Sequence, residues 1–153
     1  MKKLTSVFVV MMMIFCFVSV SYAGDLQKEF RGVKWGTSVI SLLGNKNFYM
    51  SNPGEFKKHD ENLTFGNQPV RVISYYINEN RVFNQASIGL TDSIAASKII
   101  DKVTGKKATP GTDGDGDLFW AWVDGKISIV IFPNLNAMSI TYSNKTKKPA
   151  ATF

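Results

Sequence analysis

Cysteine is almost absent from this chain of 153 residues, because the only one, Cys16, lies in an apolar leader. Removal of residues 1–23 would leave a cysteine-free chain, which excludes disulfides, a thiolate nucleophile and cysteine-ligated metals. Histidine is equally rare, since His59 is the only one in the sequence. It stands in a charged segment and has no second histidine with which to share a metal, so we interpret it as a solvated loop residue.

A strong excess of one charge is also missing from the body of the chain. Beyond residue 23 there are sixteen basic and twelve acidic residues, and three of the basic ones lie in the last ten residues. Nucleic-acid-binding domains cluster basic residues on one face. We therefore expect no nucleic-acid partner.

The first 23 residues have the features of a bacterial secretory signal peptide. Two lysines follow the initial methionine, residues 7–18 are apolar, and Ser21 and Ala23 form a small-x-small cleavage site. Twelve apolar residues are too few to cross a hydrocarbon core, which needs about 20. We predict export to the periplasm or the medium, a mature chain that begins at Gly24, and no membrane span after cleavage. Retention of the leader as an anchor is the alternative.

Periodicity predicts two helices after the leader. The first is short, begins after a cap at Thr37 or Ser38 and stops at Gly44. The second begins at Asp92 and stops at Gly105. Its apolar stripe, at i, i+3, i+4 and i+7, consists of Ala96, Ile99, Ile100 and Val103.

Alternating apolar residues predict strands in the rest of the chain, and Asp124-Gly125 is a strong hairpin signal. Residues 45–62 are polar, with a turn at Asn52-Pro53-Gly54, and we predict a short strand around Phe48 followed by a mobile loop. Residues 144–153 are predicted to be a disordered basic tail. The other predicted strands are 63–65, 70–77, 82–90, 117–123, 126–132 and 138–142. The whole predicts one domain, 24–143, of the α+β class, with two layers and helices packed on one face of an antiparallel sheet.

Carboxylates at alternate positions give one segment the spacing of a metal site. These are Asp113, Asp115 and Asp117, with Asp124 where a calcium loop places its last ligand. The sixth position of that loop is Leu118, however, where the sharp turn needs glycine. We favour a solvated connection between helix and strand, and calcium binding is the alternative.

Three tryptophans are candidate contacts for a partner, namely Trp35, Trp120 and Trp122. On a strand, Trp120 and Trp122 share a face, and an exposed aromatic platform could bind a sugar, a peptide or a protein. Core packing is the interpretation that we favour for these residues.

The segment FRGVKWGTS, residues 30–38, resembles the opening of a family of small secreted bacterial proteins that begin Phe-Arg-Gly-x-x-Trp-Gly-Thr. Residues 119–129 resemble the C-terminal hairpin of the same family, whose function is unknown. The resemblance implies a compact secreted α+β domain and no particular activity. On physical grounds, Phe30 and Trp35 would anchor the chain to the core.

No catalytic or cofactor motif stands out in the sequence. We therefore expect a non-enzymatic binding module that engages a protein or cell-envelope component through its sheet or through residues 45–62. The alternative is a calcium-binding protein or a small metal-dependent enzyme that uses Asp113, Asp115 and Asp117.

Overall fold

The computed structural model describes residues 25–144, so the predicted signal peptide and all but the first residue of the predicted tail lie outside the described residues. Two α-helices are present in this part of the chain, α1 (Val39–Leu43) and α2 (Ser93–Thr104), and a 3-10 turn spans Pro133–Leu135. The strands are β1 (Glu29–Phe30), β2 (Val33–Lys34), β3 (Phe48–Asn52), β4 (Glu55–Lys58), β5 (Thr64–Phe65), β6 (Gln68–Ile77), β7 (Phe83–Leu90), β8 (Thr109–Thr112), β9 (Leu118–Asp124), β10 (Ile127–Phe132) and β11 (Ala137–Tyr142).

Nine strands form one antiparallel sheet in the order β3-β4-β6-β7-β11-β10-β9-β8, with β5 paired to β6 beside this path. The strands β1 and β2 form a separate two-stranded ribbon. Within the large sheet, β3 to β7 make one half and β8 to β11 the other. The two halves meet where β7 pairs with β11, at contacts such as Ala86 opposite Ile140.

The predicted α+β class is wrong, because the described residues are 48% strand and 17% helix and only one helix exceeds seven residues. The fold is β-rich. The prediction failed because segments without an apolar alternation also fold as strands. Residues 48–58, predicted to be mostly loop, form the β3–β4 hairpin, and residues 109–112 form β8 although they contain a proline and a glycine.

One face of the sheet carries the core. Five neighbouring strands each place a buried side chain directly opposite the next, which gives a continuous row across the sheet. From β6 to β9 this row consists of Tyr75, Ala86, Ile140, Ile129 and Trp122. Burial of such large apolar side chains is the dominant favourable contribution to folding.

Helix α2 covers this core face at β9 and β10. Asp92 caps its first turn and Gly105 ends it in the left-handed conformation, as the sequence predicts. Ala96 and Ile100 are buried, whereas Val103 is 40% exposed. The buried stripe of the helix is therefore narrower than the predicted one.

The segment FRGVKWGTS covers the core face at the other half of the sheet. Phe30 is buried, and Trp35 stacks on Phe83 with ring centroids 4.6 Å apart. Gly32 and Gly36 have φ angles of +80° and +85°, a region that residues with a Cβ rarely adopt. The motif thus fixes the path of the chain before α1.

The opposite face of the sheet, which we call the outer face, carries mostly half-exposed side chains, which are small and polar at its centre and aromatic where Phe119 of β9 contacts Phe132 of β10. Directly opposed positions form a second row across five strands. It consists of Ser74, Ser87, Ser139, Val130 and Ala121. The outer face thus lacks the large buried side chains of the core face.

Candidate functional site

The three tryptophans pack within the domain. Trp122 is 2% exposed, and its Nε1 donates to the Asp101 carboxylate at 2.9 Å. Trp35 stacks between Phe83 and Tyr142, and Trp120 packs against the core from a half-buried position. Their placement matches the core packing that we favour from the sequence, and it gives them little surface to offer a partner.

The acidic segment forms the hairpin loop between β8 and β9 rather than a connection between helix and strand. The Asp113 carboxylate accepts from the backbone N–H groups of Asp115 and Asp117, at 3.0 and 2.9 Å. Within residues 25–144, no group of three or more histidine, cysteine, aspartate or glutamate side chains lies close enough together to hold a metal. The Asp113 side chain therefore acts as a local cap of the loop.

A shallow cleft of about 160 Å³ lies between the N-terminal turn, the end of α2 and the β9–β10 hairpin. Asp25 and Asp124 lie at this cleft, and Val103, Ile127 and Ile129 contribute apolar lining. Gln27 crosses it by donating to the Asp124 carbonyl at 2.7 Å. The cleft is small for a ligand pocket, which usually encloses 300 Å³ or more.

Residues 45–62 form the first edge of the sheet. Asn52-Pro53-Gly54 makes the turn of the β3–β4 hairpin, and Gly54 takes a φ of +79° there. Phe48 and Phe56 are buried and attach the hairpin to the core. The predicted turn is thus confirmed, whereas the predicted mobile loop around it is an ordered hairpin.

Glu55 fastens this hairpin to the sheet. Its carboxylate accepts from Ser74 Oγ at 2.6 Å and from Asn52 Nδ2 at 2.5 Å, and Lys57 Nζ lies 3.8 Å away. The hydrogen bonds from Ser74 and Asn52 outweigh desolvation and lower the pKa of Glu55 to about 2. The side chain is therefore a buried, ionised and fully partnered carboxylate that joins β4 to β6.

A second polar network holds the other end of the same segment. Arg31 Nε lies 2.7 Å from a Glu61 oxygen, and the second Glu61 oxygen accepts from Tyr75 Oη at 2.8 Å. Burial, followed by the hydrogen bond to Glu61, raises the pKa of Tyr75. Lys58 Nζ donates to the Arg31 carbonyl at 2.7 Å, and desolvation lowers the pKa of Lys58. Polar contacts, one of them buried and the others half-buried, thus hold the hairpin at both ends.

Strand β3 leaves backbone groups directed away from the sheet. The His59 N–H donates to the Asn47 carbonyl at 2.8 Å, and the register places Tyr49 opposite Lys57. Bonded and non-bonded pairs alternate along an antiparallel ladder, so Tyr49 and Lys57 are the next bonded pair and Met50 belongs to a non-bonded pair. The N–H and C=O of Met50 therefore point away from β4. In the described chain β3 has no second neighbour on that side.

Strand β8, at the opposite edge, differs at the equivalent position. The Asp113 N–H donates to the Asp117 carbonyl, which makes Gly111 and Phe119 a bonded pair. Pro110 and the last residue of the strand, Thr112, are then the outward-directed residues, and proline has no N–H to offer. In the described chain, β8 therefore directs an N–H outward only at its last residue, Thr112, whereas β3 directs one outward at its central residue, Met50.

Exposed apolar side chains lie on β3 and on the helix that contacts it. Met50 and Tyr49 on β3 are 44% and 42% exposed, and the Tyr49 ring lies tilted against the His59 ring with centroids 4.7 Å apart. Helix α1 contacts β3 and exposes Ile40 by 77% and Leu43 by 56%. Sequence analysis indicated residues 45–62 but not Met50, because the outward direction of its N–H depends on the register with β4.

Comparisons with known proteins leave the chain without an assigned relative: no family model, no curated protein and no solved structure matches it. The resemblance of residues 30–38 to a family of secreted bacterial proteins therefore stays a prediction. No helix among residues 25–144 is long and apolar enough to cross a membrane.

Proposed function

We propose that this protein is a non-enzymatic binding module that is exported to the periplasm or the medium. It engages a protein or a cell-envelope component through the β3–β4 hairpin. The observation that carries the proposal is the outer edge of β3, where a backbone N–H and carbonyls point outward beside exposed apolar side chains. Edge strands with such features are templates for pairing with another chain unless they are blocked.

The polar contacts behind the hairpin support this function. Glu55 and Lys58 are held by contacts of 2.5–2.7 Å to Ser74, Asn52 and the Arg31 carbonyl. A binding surface that is already ordered loses less conformational entropy when its partner arrives. The hairpin is therefore presented to a partner as a preformed edge.

The signal-peptide pattern of residues 1–23 supports the proposed location. It directs the chain to the periplasm or the medium, where a mature chain without cysteine is indifferent to oxidation of thiols. The partner that we propose is accordingly a protein or another component of the cell envelope.

Position-specific photo-crosslinking in intact cells tests the proposal. A photoreactive benzoylphenylalanine at position 49 should give a discrete adduct with an envelope component after irradiation. The matched control carries the same residue at position 94, since Ile94 is an exposed apolar residue of α2 far from the hairpin in sequence. Equal adducts from both positions, or none from position 49, would refute the proposed function.

A further inference from the structure

We infer that the partner contributes an extended peptide segment, which adds to β3 as a further strand of the sheet. This inference rests on the proposed function and names the chemistry of its ligand. Strand addition is the binding mode in which a peptide satisfies the unpaired backbone groups of a sheet edge.

The backbone groups available at β3 define the length of that strand. The Phe48 N–H is taken by the Asn45 carbonyl, which leaves the Phe48 carbonyl and the N–H and C=O of Met50 directed outward. The register shifts between Met50 and Asn52, and such an irregularity ends regular pairing. The peptide therefore pairs over the first three residues of β3, with its central bonds at Met50.

The side chains around the edge define the peptide's composition. Met50 shares a face of the sheet with Phe48 and Phe56, which is the face that bears the core. Helix α1 contacts β3 and exposes Ile40 and Leu43. Successive residues of a strand point to opposite faces, so the peptide should carry apolar side chains at every second position.

The area of this surface indicates whether a peptide or a second copy of the chain is the better occupant. The exposed parts of Ile40, Leu43, Tyr49 and Met50 amount to roughly two whole side chains, on the order of 400 Å². A stable protein–protein interface buries about 800 Å² on each partner. These apolar side chains therefore supply about half of what one partner of a stable dimer buries, whereas a short strand with two or three apolar anchors fits them.

Selection from a phage-displayed library of random linear dodecapeptides tests this inference on protein that has been exported and purified. Selected peptides should share alternating apolar residues. Met50→Pro, which removes the outward N–H, should weaken binding of a labelled selected peptide at least tenfold. Met50→Ala keeps that N–H and should weaken binding less than threefold.

Hydrogen exchange tests the same inference on the unsubstituted protein, so misfolding of a variant cannot affect the result. The Met50 amide should exchange at least tenfold more slowly when the selected peptide is bound, while the Gly111 amide on β8 should not change. Sedimentation of the protein alone should show a monomer.

Four results would overturn the inference: no peptide selected, equal binding by Met50→Pro in its folded form, an unchanged exchange rate at Met50, or a dimer that Met50→Pro dissociates. The last result would identify a second copy as the occupant. If position 49 still crosslinks to an envelope component, the proposed function survives any of these results. If position 49 gives no adduct, the proposed function fails whatever the peptides do.

Discussion

The two edges of the sheet are built differently although both are hairpins at the ends of one antiparallel ladder. At β8 the outward positions are Pro110 and the terminal Thr112, and lysines precede both edge strands, Lys106 and Lys107 before β8 and Lys46 before β3. Prolines and lysines are among the devices by which natural sheets prevent pairing at their edges. At β3 the outward position is Met50, and the strand contains neither a charge nor a proline. The contrast shows that edge protection in this sheet is selective, and it distinguishes β3 as the edge available for contact.

The supports behind the two edges differ as well. Helix α2 lies over β9 and β10 with buried apolar residues and one carboxylate contact, from Trp122 to Asp101. The β3–β4 hairpin also has buried apolar residues, but it is held in addition by the polar contacts of Glu55, Lys58 and Glu61. Apolar contacts do not titrate, but carboxylate contacts do. Mutation and pH should therefore affect the two ends of the sheet in different ways.

The largest effect is expected at the helix. Ile100 is fully buried, so Ile100→Ala should lower the free energy of unfolding by about 4 kcal/mol through lost burial and a residual cavity. Lys102→Ala, on the exposed side of α2, should change it by less than about 0.5 kcal/mol. Urea melts measure both values, and similar losses in the two variants would mean that α2 does not support this end through Ile100.

The next effect is expected at Glu55 and should depend on pH. Its folded pKa of about 2 lies below the ordinary value of 4.5, so its contribution is complete above pH 4.5 and is lost as the pH falls toward 2. This shift is worth roughly 3 kcal/mol at neutral pH. The difference in unfolding free energy between the protein and Glu55→Gln should therefore shrink from pH 7 to pH 2.5.

Glu79→Gln serves as the control for Glu55, because Glu79 is exposed in the turn between β6 and β7. Its small difference from the unsubstituted protein should stay constant over the same range, measured by urea unfolding at each pH. If Glu55→Gln also gave a constant difference, Glu55 would titrate alike in the folded and unfolded chains, and the hairpin would not depend on its charge.

The smallest effect is expected from calcium at the β8–β9 loop. The Asp113 carboxylate already accepts two backbone N–H groups, so calcium at about 1 mM should leave the melting temperature unchanged. A site with a dissociation constant near 10 μM would add roughly 2.7 kcal/mol at that concentration. A calcium-dependent rise of several degrees, absent in Asp115→Asn, would instead support the metal-binding alternative.

Sequence patterns predicted the elements whose signals are local. The capped helix from Asp92 to Gly105 and the hairpin at Asp124-Gly125 are confirmed, because a cap, a left-handed stop and a tight turn each involve neighbouring residues. Strands β4 and β8 were missed because their own residues show no apolar alternation and they form by pairing with other strands. Strand β4 is fixed by Ser74 on β6, and β8 is a strand only because it pairs with β9.

The candidate site could be predicted only in outline. The Asn52-Pro53-Gly54 turn and the polar character of residues 45–62 were visible, and they supported a binding role for this segment. The direction of the Met50 N–H depends on a register with Phe56 that no local pattern specifies. A bulge between Val70 and Val72 likewise puts Val70 in the core, against the simple alternation expected for β6.

The junction of β7 with β11 has a consequence for the kinetics of folding. Most other neighbouring strands of the sheet are joined by short turns, whereas this pairing brings Ala86 against Ile140 across more than fifty intervening residues. Closing a loop of that length has an entropic cost before any contact compensates for it, and non-local pairings of this kind slow folding. We therefore expect the hairpins within each half to form first and the β7–β11 pairing to limit the rate. Until then, the row of large apolar side chains that crosses both halves would lie open to solvent along its centre.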